Sequence, residues 1–185
     1  VTPTPTIELV PLPVPAIAAL AAGDLATANA HAPVPLDEWF LGAEIRHVWA
    51  IRHRQLQVRP DDADWITRVI WDAEQRRAVG QAGFHGPPDA HGMVELGYSV
   101  APDFRRRGYA RAAFADLLAR ARREPTVRVL RATVSPGNVA SENLVAAYGL
   151  VRVGEQWDDE DGLEIVYELA VDEPAVDERD GGVAP

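Results

Sequence analysis

Apolar residues change period twice along this chain, and the changes divide it into elements. Residues 6–12 read as a first strand, closed by Pro13 and Pro15. The Ala-rich stretch 16–30 predicts one or two short helices interrupted at Gly23-Asp24, with Asp24 as a candidate N-cap. Within residues 36–58, Trp39, Phe40, Ile45, Val48, Trp49 and Leu56 fall mostly three or four apart, the period of a helix with an aromatic-rich face, and Pro60-Asp61-Asp62 ends it. The middle then shifts to short runs of branched and aromatic residues at 65–71, 78–84 and 93–100, separated by Asp72-Ala73-Glu74 and Gly86-Pro87-Pro88-Asp89. That spacing predicts a three-stranded antiparallel meander.

Residues 108–123 return to the helical period, with Ala110, Ala113, Phe114, Leu117, Leu118 and Ala121 on one face and Arg111, Asp116 and Arg122 elsewhere. A strand at 127–134 follows, then a short helix at 141–148 stopped by Gly149 and N-capped by Ser141. Strands at 150–154 and 163–169 flank the acidic turn Asp158-Asp159-Glu160-Asp161-Gly162. The order is strand, helices, three strands, helix, strand, helix, two strands. It predicts an α+β (mixed α/β) layer protein in which a long antiparallel run is joined by one helical crossover. Residues 1–170 form one domain in this reading, and the Pro-, Gly- and acid-rich residues 171–185 are a disordered tail.

Charge changes the picture because it is unevenly placed. The chain has 185 residues and a net charge of −10, but residues 1–154 carry 16 acids and 17 arginines, whereas the last 31 residues carry 12 acids and one arginine. The body is near neutral. All 18 basic residues are Arg, which removes lysine Schiff-base and lysine phosphate-loop chemistry, and the lack of Cys removes thiolate nucleophiles and sulfur-built zinc sites. His47 and His53 are six apart and share no helical face, so no metal site is expected. Prolines break the apolar N-terminal stretch, so neither a leader nor a membrane span is expected, and the default location is the cytoplasm. Bulk acidity argues against nucleic-acid binding. Phosphate recognition must then be local.

One stretch supplies it. Arg105-Arg106-Arg107-Gly108 lies after the strand ending at Val100 and before the helix at 108–123. The free N–H groups at a helix start favour anions, the glycine lets a ligand approach the backbone, and three guanidinium groups add charge. The dinucleotide fingerprint and the Gly-Lys-Ser/Thr loop are both absent.

The pattern Arg105-x-x-Gly108-x-Ala110, preceded by Glu95-Leu-Gly-Tyr-Ser-Val100, resembles the pyrophosphate motif of the GNAT superfamily of N-acetyltransferases. Thirty residues after Gly108, the block Asn138-x-x-Ser141 leading to Gly149-Leu150 resembles the family's Asn-x-x-Ser helix and following strand, with Leu150 where Phe is usual. The likeness is greatest to the branch that includes ribosomal-protein N-terminal acetyltransferases. It implies a twisted, mostly antiparallel sheet of about seven strands flanked by helices, with acetyl-CoA as cosubstrate and no metal. It also implies that the backbone of Arg106, Arg107, Gly108, Tyr109 and Ala110 cradles the pyrophosphate, that Arg105 holds the loop or the ligand, and that Val100 and Asn138 bind the pantetheine arm.

The chemistry expected is direct transfer to a primary amine, of a small molecule or a peptide N-terminus. Glu95, on a strand face shared with Gly97 and Ser99, is the candidate base, with a solvent-facing strand Glu or Arg partner as its alternative. The family's usual acid, a Tyr seven residues after the Asn, is Val145 here, so Ser141 becomes the candidate acid, and thiolate release to solvent stays open. Tyr148 reads as a packing residue at least as readily as a functional one. His85 has two readings, a plain turn histidine, which is preferred, or part of the acceptor pocket. Trp39, Phe40 and Trp49 read as core, with at least one able to shape acceptor access. A rival function is a GNAT-like module that binds acyl-CoA without turnover. A homodimer is compatible with the chain, but nothing in it selects one.

Overall fold

The computed structural model describes residues 4–159 and 162–171. In chain order it contains β1 (Glu8–Val10), α1 (Val14–Ala22), α2 (Leu25–His31), α3 (Ala43–Val58), β2 (Arg68–Asp72), β3 (Arg77–Phe84), β4 (Met93–Val100), α4 (Tyr109–Arg123), β5 (Val129–Val134), α5 (Val139–Ala147), β6 (Val151–Asp158) and β7 (Gly162–Ala170). The seven strands form one sheet in the order β1-β2-β3-β4-β5-β7-β6, and every neighbouring pair is antiparallel except β4 and β5. The mixed architecture, the strand number and the β2-β3-β4 meander are as expected.

Differences from the expected elements have local causes. β1 is shorter than expected because Pro11 and Pro13, which lack N–H groups, follow it directly. The helix expected over 36–58 is split. A 3-10 turn at Glu38–Leu41, started by Asp37 accepting from Trp39 N, ends at Gly42, whose extended backbone precedes α3. β6 runs to Asp158, past the expected end at 154, because β7 supplies its backbone ladder through Gln156 and Trp157, where the apolar pattern has already failed. Asp24 caps α2 as expected, accepting from Thr27 N at 2.9 Å. Residues 172–185 of the expected tail, with Glu160 and Asp161 of the acidic turn, lie outside the described residues.

The sheet separates two cores. On one face Leu20, Phe40 and Trp49 of the α1–α3 region pack with Val69. On the other, Phe84, Leu96 and Leu130 pack with Phe114, Leu117 and Val145 of α4 and α5. Each such side chain contributes roughly 1.5–3 kcal/mol on burial. Phe40 and Trp49 are fully buried core residues. On β4 this alternation sends Val94, Leu96 and Val100 to the α4 face, leaving Glu95, Gly97 and Ser99 on the other.

Two features position the site. First, β4 and β5 pair only from Met93–Val129 to Leu96–Ala132, after which β5 continues beside β7 and leaves β4. His85 N donates to Glu95 O and Ala101 N donates to Val79 O, so the peptides of Glu95 and Ala101 face β3. By strand alternation the N–H groups of Tyr98 and Val100 face the opposite, open edge. Second, the start of α4 is anchored to the end of β2. Tyr109 donates its hydroxyl to Asp72 Oδ2 at 2.6 Å, and Gln75 donates to the same carboxylate from its backbone N at 2.8 Å and its Nε2 at 2.9 Å.

Burial pushes the Asp72 carboxyl upward, but its hydrogen bonds outweigh that effect and hold it below its ordinary value. Burial and the Asp72 carboxylate push the Tyr109 phenol up to about 12, so it stays a donor. A carboxyl held below its unfolded value stabilises the fold above that value and loses the contribution as pH falls through the folded one. Tyr109→Phe is therefore expected to lower stability by about 1.5–3 kcal/mol at neutral pH. In urea unfolding followed against pH, the difference from the wild type should shrink at strongly acid pH. An equal difference at both ends would rule out the charge-assisted bond as its source.

Candidate active site

The open edge of β4 looks into a groove of about 640 Å³, bounded by the loop before α4, the first turn of α4 and the start of α5. Arg106 and Gly108 both adopt left-handed backbone, with φ of 61° and 90°. For Arg106 that costs about 1–2 kcal/mol, and such turns gather successive N–H groups into an anion-binding concavity. The concavity opens at the N-terminus of α4, a 15-residue helix whose dipole adds to it.

The expected cofactor residues divide into groups. Arg105 donates Nε to Val100 O at 3.0 Å, which ties the loop to the strand end and leaves the Val100 N–H for the groove. Arg105, Arg106, Gly108 and Ala110 line the groove, whereas the Arg107 guanidinium lies over the Phe104 ring at 5.6 Å and Arg107 is not on the groove wall. The Tyr109 side chain is directed into the core, so its outward contribution is backbone. Gly108 also has a packing reason to be glycine. A Cβ there would lie 2.9 Å from Pro5 Cδ, so the missing side chain makes room for the N-terminal segment and permits the left-handed φ.

Asn138 and Ser141 also line the groove, but their local roles differ from the expected ones. Asn138, not Ser141, is the N-cap of α5, its Oδ1 accepting from Ser141 N at 3.2 Å. The helix starts two residues earlier than the apolar pattern suggested, which puts Ser141 inside its first turn. The Asn138 amide nitrogen is not used by the cap. Behind Ser141, the Tyr98 hydroxyl is buried without a well-formed hydrogen bond. Burial raises the Tyr98 phenol, and the nearby Ser141 side chain opposes the shift. Val145 is fully buried, and Tyr148 stacks on Phe114 with ring centroids 4.6 Å apart while donating to Arg111 O. Both are packing residues. Arg111 and Asn143, which the sequence reading passed over, line the groove. Helical spacing from Gly108 was the available signal for Arg111.

A second, smaller cavity of about 200 Å³ lies on the other face of the sheet. Its walls include Glu44, Val48 and Arg52 of α3, Thr67, Gln81 of β3, His85, and Gly97 and Ser99 of β4. The two cavities share Tyr98 and Ser99, so both border β4 where it loses its partner. His85 lines this cavity, beyond the turn role preferred from sequence. Its ring lies over Gly97, where a Cβ would be 2.9 Å from Nε2. Packing around the ring and the Arg52 charge lower its pKa to about 4. The side chain is still 47% exposed, which tempers the desolvation, but the direction makes neutral imidazole the form at pH 7.

Glu95 sits one step along the same strand face and is not on the wall of either cavity. Its Oε1 accepts from Thr133 Oγ1 at 3.0 Å and is 3.7 Å from His85 Nδ1, too far for a direct hydrogen bond. Burial raises the carboxyl pKa, with Thr133, Arg131 and Arg52 opposing. Among the described residues no group of three or more His, Asp or Glu side chains is arranged to hold a metal ion, and no helix is long and apolar enough to cross a membrane.

Comparison with known proteins agrees with this geometry. The acetyltransferase (GNAT) domain model matches residues 15–151. Over 83 residues the chain is 30% identical to the uncharacterized N-acetyltransferase YjdG of Bacillus subtilis (strain 168), a match spanning 45% of this chain and 49% of that protein. The chain thus spans about half the length of the curated relative it matches. Two solved structures share the fold at low identity. The ribosomal-protein-S5-alanine acetyltransferase of Vibrio fischeri has a TM-score of 0.61 and 18% identity, over 90% of this chain and 92% of that one. The Salmonella typhimurium protein yncA, solved with its cofactor acetyl-CoA, has a TM-score of 0.58 and 20% identity, over 92% and 95%. A family match across most of the chain, a shared fold and a groove built at the strand gap together establish that this chain belongs to the GNAT acetyltransferase family.

Proposed function

We propose that the domain transfers an acetyl group from acetyl-CoA to a primary amine, of a small molecule or a peptide N-terminus, by direct attack in a ternary complex. The observation that carries this reading is the pair of cavities bordering the open end of β4, one rimmed by backbone donors and the other lined with polar side chains. The groove's donors fit a phosphorylated, amide-bearing arm. The left-handed turns at Arg106 and Gly108 and the α4 N-terminus suit the pyrophosphate, with the backbone of Arg107, Tyr109 and Ala110 completing the loop. The Val100 N–H and the Asn138 amide suit pantetheine amides.

Bound acetyl-CoA supplies an activated thioester. Transfer forms an N–C bond as the C–S bond breaks, and one proton must leave the amine while the thiolate accepts one. Glu95 takes the amine proton, relayed by water or the neutral His85 ring because its carboxylate stands outside the cavity wall. A backbone N–H near Val100 stabilises the developing oxyanion. Ser141, on the groove wall, is the proton donor nearest to hand for the thiolate, with solvent as the other source.

Free-thiol release from acetyl-CoA with pooled amines tests the reading. Binding of acetyl-CoA without release from any pool would favour the non-catalytic module instead. Glu95→Gln is expected to reduce kcat by about 10²–10⁴ without changing acetyl-CoA affinity. Because Glu95 accepts a proton only when ionised, and burial raises its pKa, wild-type kcat/KM should climb with pH through that raised value, and the variant should lack this limb. Asn138→Asp keeps a capping oxygen but removes the amide donor. Calorimetry should show acetyl-CoA binding weakened about tenfold with an unchanged unfolding midpoint, whereas Asn138→Ala should also lose about 1 kcal/mol of stability.

A further inference from the structure

Two mostly buried polar side chains on the wall of the smaller cavity lack a full set of protein partners. Arg52 is only 7% exposed. Its Nε donates to Thr67 Oγ1 at 3.1 Å, and its Nη1 donates to Gln55 Oε1 at 3.0 Å and to His85 O at 3.1 Å. All three acceptors are neutral. Among the described residues Nη2 has no acceptor, and no carboxylate lies within ion-pair distance of the guanidinium. Burial lowers the Arg52 pKa to about 10, with Glu95 partly opposing, so the group is still cationic at neutral pH. A charge held this way, without a counter-ion, is strongly unfavourable. The second group is Gln81, 4% exposed, whose Oε1 is buried without a donor.

Strand register orders these groups along the cavity. Gln81 pairs with Ser99 and Gly83 with Gly97. Gln81 therefore lies level with Ser99, toward the C-terminal end of β4 that has no β5 partner. Arg52, bonded to Thr67 and the His85 carbonyl, lies toward the Gly97 end. The other charged group on the wall is Glu44, on the exposed rim, while Glu95 stands outside the wall next along the strand, its carboxyl in the field of Asp158.

We propose that the cavity binds a small amino-carboxylate as the acetyl acceptor, its carboxylate on Arg52 and its amine beside Gln81 at the Ser99 end. This inference rests on the acetyl-transfer reading and narrows its acceptor. A carboxylate supplies the counter-ion that Arg52 lacks, in a charge-assisted hydrogen bond to Nη2. An amine N–H satisfies Gln81 Oε1, and the nearby carboxylates favour the ammonium end on entry. A polyamine would bring a second ammonium against Arg52. A peptide N-terminus would offer it a neutral peptide group. The volume of about 200 Å³ suits one small molecule.

The test uses the full chain with CoA present and a panel of small L-α-amino acids, β-alanine and 4-aminobutyrate, each beside its carboxamide and its decarboxylated amine. Calorimetry is expected to find at least one acid bound about tenfold to a hundredfold more tightly than its carboxamide. Arg52→Gln should abolish that ratio while leaving the carboxamide's affinity nearly unchanged, an outcome that a purely structural Arg52 would not give. Equal wild-type affinity for acids and carboxamides, or no binding of any acid, overturns the proposal whether or not the variant folds. Thiol release separates the two levels. Release with the decarboxylated amines but with no acid overturns the subsite and leaves acetyl transfer standing. No release from any amine, with acid discrimination intact, counts against acetyl transfer and leaves the subsite standing.

Discussion

The molecule is organised around a pair of strands that stop pairing. Beyond Leu96 and Ala132, β5 keeps its partner β7 and gives up β4, so the Tyr98 and Val100 peptides have lost a ladder inside an otherwise continuous sheet. Buried backbone donors without acceptors are costly, and a strand edge left open between two helical layers makes a binding surface for an amide-bearing ligand. The groove at α4 and α5 and the cavity under α3 both reach this stretch, sharing Tyr98 and Ser99 as wall residues.

The surrounding contacts hold that gap in place. Arg105 ties the loop to the Val100 carbonyl, and the Tyr109–Asp72 bond fixes where α4 begins. The loop can then carry left-handed backbone at Arg106 and Gly108, because anchors at both ends resist its relaxation. On the opposite face two glycines admit close packing beside the cavity. A Cβ at Gly83 would lie 2.5 Å from Thr67 Cα, and one at Gly97 would meet the His85 ring. These glycines let the Thr67 backbone and the His85 ring pack directly onto β3 and β4.

Much of this was legible in the residues. The switch from helical to strand period located the meander and the helix that follows it, and Arg105-x-x-Gly108-x-Ala110 marked the loop that lines the groove because its glycine and helix start occur together. Other features were legible in part. Asn138 and Ser141 were both recognised, but their capping roles were exchanged, since either residue type can cap and only the backbone angles choose between them. Glu95 was placed on the correct strand face, yet how far along that face the cavity extends depends on where α3 packs. The continuation of β6 was hidden because an edge strand can be held by ladder bonds while its side chains stay polar.

By itself, the sequence determined local conformation and the loop chemistry, because apolar period, prolines, glycines and caps act over a few neighbouring residues. Tertiary structure decided which polar groups share a space. Arg52 and His85 are 33 residues apart and meet through a side-chain to carbonyl bond, while Gln81 faces the same cavity only because β3 pairs with β4 in one register. A one-residue slip would send Gln81 to the opposite face. Nothing in the local pattern around Arg52 marks it as buried or lacking a counter-ion, since that depends on the sheet against which α3 comes to rest.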